Sequence, residues 1–285
     1  MKESLLKNRF IRFGYLMARR FLRHGVGTQS AALSFYLLFM IFPFLIFLSA
    51  LLGLLHLDVA GILVALGEIL PGEVVELVGM YLRYVRENSS LRLALFGLFF
   101  SIWFPMRATN ALLRAVRTAY HLGPPHSTVR QLIKSLAYTV LLIVTITLTL
   151  TAVTVSDWLL DYAVAHFRLP AFVALLWGKL RFPVAGVAGF FALCALYALA
   201  QDGPQRWRNI WPGTVSALGA WLGLSWLYNL YVEHFAHYSV LYGSIGTIIV
   251  LLIWLNMSAV TLIMGAEMNG VLMAMGSGKE REELL

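Results

Sequence analysis

Apolar residues in this chain come in long uninterrupted runs. No charged residue occurs from His24 to Leu57, from Ser135 to Ser156, from Phe182 to Gln201, from Asn209 to Val232 or from His234 to Ala266. A helix that crosses a bilayer needs about 20 apolar residues at 1.5 Å rise each, and each run meets that length. A sixth stretch, Leu93 to Leu113, qualifies with Arg107 inside it. The pattern predicts an all-α polytopic membrane domain over residues 25–278. Its six spans fall near 31–56, 93–113, 136–156, 182–201, 211–232 and 242–267. A short tail, 279–285, follows.

A membrane barrel would instead alternate apolar and polar residues over about ten positions. Thr145 to Thr151 (TITLTLT) does alternate. It sits within a longer run of Leu, Ile and Val, so helix is expected there, with the threonine hydroxyls bonding back to backbone carbonyls.

Two amphipathic segments lie outside the spans. In residues 1–24, Leu6, Phe10, Phe13, Met17 and Phe21 share one face, and Lys7, Arg12, Arg19, Arg20 and Arg23 mostly fall on the other. Such a helix lies in the headgroup plane, with membrane lipids as its partner. Residues 58–91 are too long for a plain connector. Val74, Leu77, Val78, Tyr81, Leu82 and Val85 recur at helical spacing after the Pro71-Gly72 turn. Together with Val59 to Leu70 they suggest an outer helical hairpin, either a lid or simple packing.

Composition agrees with lipid as the solvent. Hydrophobic residues make up 60% and charged ones 13%, against about 25% charged in soluble domains. The net charge of +8 would suit nucleic acid, but its placement argues for topology. Counting Arg107 at the inner end of the second span, sixteen Lys and Arg fall on the side that holds the N-terminus and the segments after the second, fourth and sixth spans, against six on the other side. This positive-inside bias puts both termini in the cytoplasm. No nucleic-acid partner is expected, and no cleavable signal peptide.

Polar groups inside the spans are the candidate site. Pro43 bends the first span, and Ser34 and Tyr36 lie toward its cytoplasmic end. Arg107 is fifteen residues from Arg92, about 22 Å at helical rise. An arginine there must pair or snorkel, and Glu267 is expected as its partner, bridged by Asn110 or Asn269. Asn256 is a further buried polar group in the sixth span. Small residues pair four apart in the fifth span (Gly213 with Ala217, Ser216 with Ala220, Gly219 with Gly223), and Ala185 and Gly189 in the fourth offer a matching surface. Close packing of those two spans is expected, with homo-oligomerisation through the same stripe as the alternative.

Catalytic chemistry is poorly represented. P-loop, HExxH and GxSxG motifs are absent. His234 and His237 beside Glu233, and the pair Asp157 and Asp161, do not complete a three-ligand metal set. The single cysteine, Cys194, excludes an intrachain disulfide. No catalytic residue, metal or cofactor is expected.

Three stretches carry a family resemblance: Ala31 to Pro43 (AALSFYLLFMIFP), Trp207 to Gly213 (WRNIWPG), and Tyr242 to Trp254 (YGSIGTIIVLLIW) followed by Gly265 to Asn269 (GAEMN). In this order the chain resembles the YihY/virulence-factor BrkB family of bacterial inner-membrane proteins. Asn256 departs from the aromatic residue more usual there. The resemblance implies six spans with cytoplasmic termini and localisation in the bacterial inner membrane. Members have carried a ribonuclease label, and others are linked to movement of lipids or envelope components. The expectation is therefore a carrier for a lipid or an anionic lipid-linked molecule. A non-transporting scaffold for envelope machinery is the rival, and a membrane-bound ribonuclease comes last.

Overall fold

A computed structural model describes residues 8–55, 91–123, 127–154, 171–201, 207–235 and 244–277, with isolated positions between 63 and 80. All regular elements among the described residues are helical. They are α1 (Arg9–Arg23), α2 (Val26–Leu55), α3 (Leu91–Ala119), α4 (Thr128–Thr154), α5 (Ala171–Leu199), a 3-10 turn (Trp207–Asn209), α6 (Trp211–Phe235) and α7 (Ser244–Ser277). The alternating threonines of 145–151 lie within α4, so the apolar run decides the local structure. Most of the expected hairpin over 58–91 falls outside the described residues.

Among the described residues four helices are long and apolar enough to cross a membrane: α2 over Val26–Phe44, α4 over Thr128–Thr145, α5 over Lys179–Leu199 and α7 over Ile245–Ser277. The second and fifth expected spans, α3 and α6, are continuous helices of 29 and 25 residues. They are more polar, through Arg92, Arg107, Arg114 and Arg117 in α3 and through glycine, serine and ring residues in α6.

Contacts divide the chain into two compact units. One comprises residues 1–39, 104–138 and 193–285; the other comprises 40–103 and 139–192. In the second unit Pro43 is buried within a helix that continues past it. Leu95, Phe96, Phe99, Phe182, Val187 and Phe191 expose large apolar surface there. Such surface on long helices fits a hydrocarbon solvent.

The first unit is built around α6 and α7, which run antiparallel and are tied at successive turns. The Gly213 N–H donates to Asn269 Oδ1 at 2.7 Å, and Asn269 Nδ2 donates to the Ile210 carbonyl at 2.8 Å. Next along, Trp221 Nε1 donates to Ser258 Oγ at 3.0 Å, and Trp254 Nε1 to Ser225 Oγ at 3.4 Å. The Tyr228 hydroxyl donates to the Val250 carbonyl. In lipid, helices gain nothing from burying one apolar face on another. Close packing and interhelical hydrogen bonds hold them together instead.

The close packing is visible at Gly213 and Gly265. A methyl added at Gly213 would overlap the Gly265 carbonyl oxygen, and one at Gly265 would overlap the Tyr197 hydroxyl and the Ala217 side chain. The small residues Gly213 and Ala217 therefore pack against α7, where the sequence suggested α5. Gly219 and Gly223 are exposed, and added methyls there would meet nothing within 4 Å. The same is true of added methyls at Gly189. Ser216 is exposed and Ala185 half-buried.

Basic side chains close the helix ends of this unit. The buried Arg117 donates through Nη1 to the Ala200 carbonyl beyond α5 at 3.0 Å, and through Nη2 to the Gly123 carbonyl at 2.7 Å. Lys134 Nζ donates to the Gln201 carbonyl at 3.0 Å. The last carbonyls of a helix lack intrahelical N–H donors and carry its negative dipole end, so cations suit them.

Candidate functional site

Helix α1 begins at Asn8, whose Oδ1 accepts from the Phe10 N–H at 3.0 Å. It ends at His24, and Gly25 follows with φ +61°. That left-handed conformation costs glycine no steric clash and turns the chain directly into α2. The turn brings Arg20 and His24, four residues apart, to the same side of α1.

Both face Glu267 of α7, which is wholly buried. His24 Nδ1 lies 2.6 Å from Glu267 Oε1, and Arg20 Nη1 lies 3.4 Å from Oε2. An ionised carboxylate only accepts, so Nδ1 of His24 carries the proton it donates. Arg20 Nη1 also donates to the Ala119 carbonyl at the end of α3, at 3.0 Å. One arginine thus joins three helices, α1, α3 and α7.

The third side of the cluster is His121. Helix α3 closes with the Leu122 N–H donating to the Arg117 carbonyl and the His121 N–H to the Thr118 carbonyl, at 2.9 and 3.0 Å. This double bond pattern demands a left-handed residue, usually glycine. Here it is His121, with φ 53°. A side chain in that region costs about 1–2 kcal/mol. Its ring supplies what glycine could not. His121 Nε2 lies 3.0 Å from Arg20 Nη2 and must accept, because guanidinium only donates. The ring also meets His24 edge-on, with centroids 5.3 Å apart.

Gly270, one turn after Glu267, makes the approach possible. A methyl there would overlap the Ala119 carbonyl oxygen and Arg20 Nη1. Close by, the Asn269 amide caps the start of α6, satisfying an N–H that a helix N-terminus leaves unpaired. Burial pushes the Tyr120 phenol up, opposed by its interaction with Asn269. Cys194 Sγ donates to Thr214 Oγ1 at 3.4 Å.

Of the residues singled out from the sequence, Glu267 and Asn269 belong to this junction. Arg107 does not carry the role expected of it. It is exposed on α3, and Glu267 is paired with Arg20 and His24. Asn269 bridges α6 and α7 rather than an Arg107–Glu267 pair. Asn110 is half-buried, and its Oδ1 is buried without a hydrogen-bond partner. Ser34 is buried, with its hydroxyl donating to the Ala31 carbonyl at 2.9 Å. Tyr36 and Asn256 are half-buried. Asp157, Asp161 and His237 lie outside the described residues. Among the described residues, no three His, Cys, Asp or Glu are grouped to hold a metal.

The sequence reading missed Arg20, His24 and His121. A signal for Arg20 was present: it follows Phe13, Leu16 and Met17 by seven, four and three residues, which puts it on an apolar edge of α1. His121 offered no comparable signal, because the glycine after α3 stands two residues later, at Gly123.

Comparison with known proteins adds the following. The family model described as virulence factor BrkB matches residues 17–283. The chain is similar to the ribonuclease-like protein YfkH of Bacillus subtilis (strain 168), 29% identical over 253 residues, covering 89% of this chain and 92% of that protein. It is similar to a UPF0761 membrane protein of Verminephrobacter eiseniae (strain EF01-2), 33% identical over 115 residues, 40% of this chain and 26% of that one. A third relative is the UPF0761 membrane protein PSHAa0171 of Pseudoalteromonas translucida (strain TAC 125), 29% identical over 100 residues, 35% of this chain and 32% of the relative. No solved structure matches the chain.

Proposed function

The chain belongs to the virulence factor BrkB family, and from that premise we propose that this multi-pass membrane protein is a carrier for a lipid or other envelope component in the bacterial inner membrane. In this reading α2 to α7 are six spans and both termini face the cytoplasm. The charge bias supports that orientation, and the lengths of α3 and α6 support that count.

The observation that carries the reading is Glu267, fully buried in an apolar helix and paired with Arg20 and His24. An ionisable residue within a membrane helix is costly and most often marks a pathway or a moving element. A buried ion pair adds little stability that apolar packing could not supply. A bundle that only had to hold together would not require one. The cluster instead joins α1 to α3 and α7 through bonds that can be broken and remade, which suits a carrier with two arrangements.

The test is lipid translocation in proteoliposomes, using nitrobenzoxadiazole-labelled phosphatidylglycerol and dithionite reduction. Wild type should move probe between leaflets faster than empty liposomes, and Glu267→Gln should slow it. Equal rates for wild type and empty liposomes defeat the proposal.

A second reading has its own observation. Gly219 and Gly223 form an exposed small-residue face on α6 with open space before it. Small faces let helices of two copies approach closely, as a homo-oligomeric scaffold for envelope machinery would need. A membrane-bound nuclease is the reading with least support, given the absence of a metal-ligand group among the described residues.

A further inference from the structure

We propose that α1 is a lipid-binding element whose outer side inserts into the leaflet beside the bundle and holds anionic phospholipid there. This goes beyond the transport reading and holds whether or not the chain moves a substrate.

The docked edge of α1 consists of Leu16 and Arg20, both buried, with Phe13, Met17 and His24 half-buried around them. At about 100° per residue, a second set falls on the opposite side. Ile11, Tyr15, Ala18 and Leu22 follow each other by four, three and four residues, within about 60° of arc. This stripe is uncovered: Leu22 is 78% exposed, Ile11 45% and Tyr15 44%. Phe10 is 87% exposed toward the start of the helix. An apolar stripe of this extent facing water would be costly, about 25 cal/mol per Å² of apolar surface.

Charge identifies the occupant. Arg12, Arg19 and Arg23 fall within about 40° of arc between the open stripe and the docked edge, and Arg9 stands about 40° further round at the start of the helix. Arg9 and Arg23 are exposed, and Arg12 and Arg19 half-buried. A row of arginines beside apolar residues matches the phosphates and acyl chains of an anionic leaflet. The same row would repel a second copy of α1 presented face to face. Covalent geometry agrees. Only His24 and Gly25 separate α1 from α2, which is apolar and long enough to span. The docked edge faces the bundle sideways, the arginines face the headgroups, and the rest of the circumference is apolar.

The experiment uses the full chain in vesicles of phosphatidylcholine with or without phosphatidylglycerol. Single cysteines replace Leu22 or Arg23 and carry an environment-sensitive fluorophore; Cys194 is buried and stays in place. The Leu22→Cys label should be quenched severalfold more by spin-labelled acyl chains than by aqueous iodide, with the order reversed for Arg23→Cys. Phosphatidylglycerol should raise the acyl-chain quenching, and the Arg9→Gln/Arg23→Gln double variant should lose that increase. Iodide access to Leu22→Cys equal to that of Arg23→Cys overturns the proposal. So does a Leu22→Cys label shielded from both quenchers until excess lipid dilutes the protein, because that outcome assigns the stripe to a second copy. Quenching that does not respond to phosphatidylglycerol overturns the anionic-lipid part.

Discussion

Arg20 of α1 and Glu267 of α7 are 247 positions apart in sequence, yet they form an ion pair with both side chains almost fully buried. His24 approaches the same carboxylate more closely, at 2.6 Å. Removing one member of such a cluster strands the rest without water. Loss of a single partner in a buried pair costs about 3–5 kcal/mol. Arg20→Ala is therefore expected to lower the thermal midpoint in detergent sharply and to reduce accumulation in the membrane. Glu267→Gln should be milder, because the amide oxygen can still accept from one of the two donors, although its NH2 then faces the other.

His121 gives a more selective prediction. His121→Ala keeps the left-handed strain and loses the ring that accepts from Arg20, so it should destabilise. His121→Gly loses the same ring but removes strain of about 1–2 kcal/mol, and should unfold at a higher temperature than the alanine variant. Thermal unfolding of the two variants in one detergent checks the order. The reverse order would mean that the backbone at this position is not held in the left-handed conformation.

The glycines divide into two classes. Gly213→Ala and Gly270→Ala place a methyl on a backbone carbonyl oxygen, which cannot swing aside. Overpacking of this kind costs about 1–3 kcal/mol or more. Gly219→Ala and Gly223→Ala meet open space and should be neutral or gain up to about 1 kcal/mol of helix propensity. A scan of thermal midpoints distinguishes the sets. If oligomerisation uses the exposed pair, Gly219→Leu should also shift the elution volume without lowering the midpoint.

Asn269 makes two bonds to the start of α6, accepting from the Gly213 N–H and donating to the Ile210 carbonyl. Asn269→Leu keeps the bulk and loses both, leaving the buried Gly213 N–H unpaired at about 1–3 kcal/mol, while the Ile210 carbonyl still accepts from Thr214. Faster hydrogen exchange confined to residues 210–216 is the expected result. Unchanged exchange there would remove Asn269 from its capping role.

The helices were legible because the period and length of apolar runs report directly on local structure and solvent. The boundary between residues 24 and 25 was legible for the same reason, since the basic amphipathic segment gives way there to an uncharged run. The partner of Glu267 was not. Arg107 was favoured because it lies inside an apolar run, but a long side chain on the outer face of a helix need not reach the interior. Arg20 was read as part of a basic face, when its spacing from Phe13, Leu16 and Met17 placed it with the docked edge. Which arginine of a basic helix turns inward depends on tertiary packing, here on the room left by Gly270. The small stripe of α6 was visible as a stripe, but spacing alone does not say which neighbour fills it. The Gly213–Gly265 contact depends on both helices having a gap at the same height.

The most direct test of the α1–α7 junction is a double-mutant cycle on Arg20 and Glu267, read as unfolding free energy of the full chain in one detergent. Arg20→Met and Glu267→Leu should each destabilise strongly alone. Combined, they should recover much of the loss, giving a coupling of about 1.5 kcal/mol or more, as close buried charge pairs do. Additive losses with no coupling would contradict the junction and, with it, the view that α1 is locked to the bundle through a buried charge.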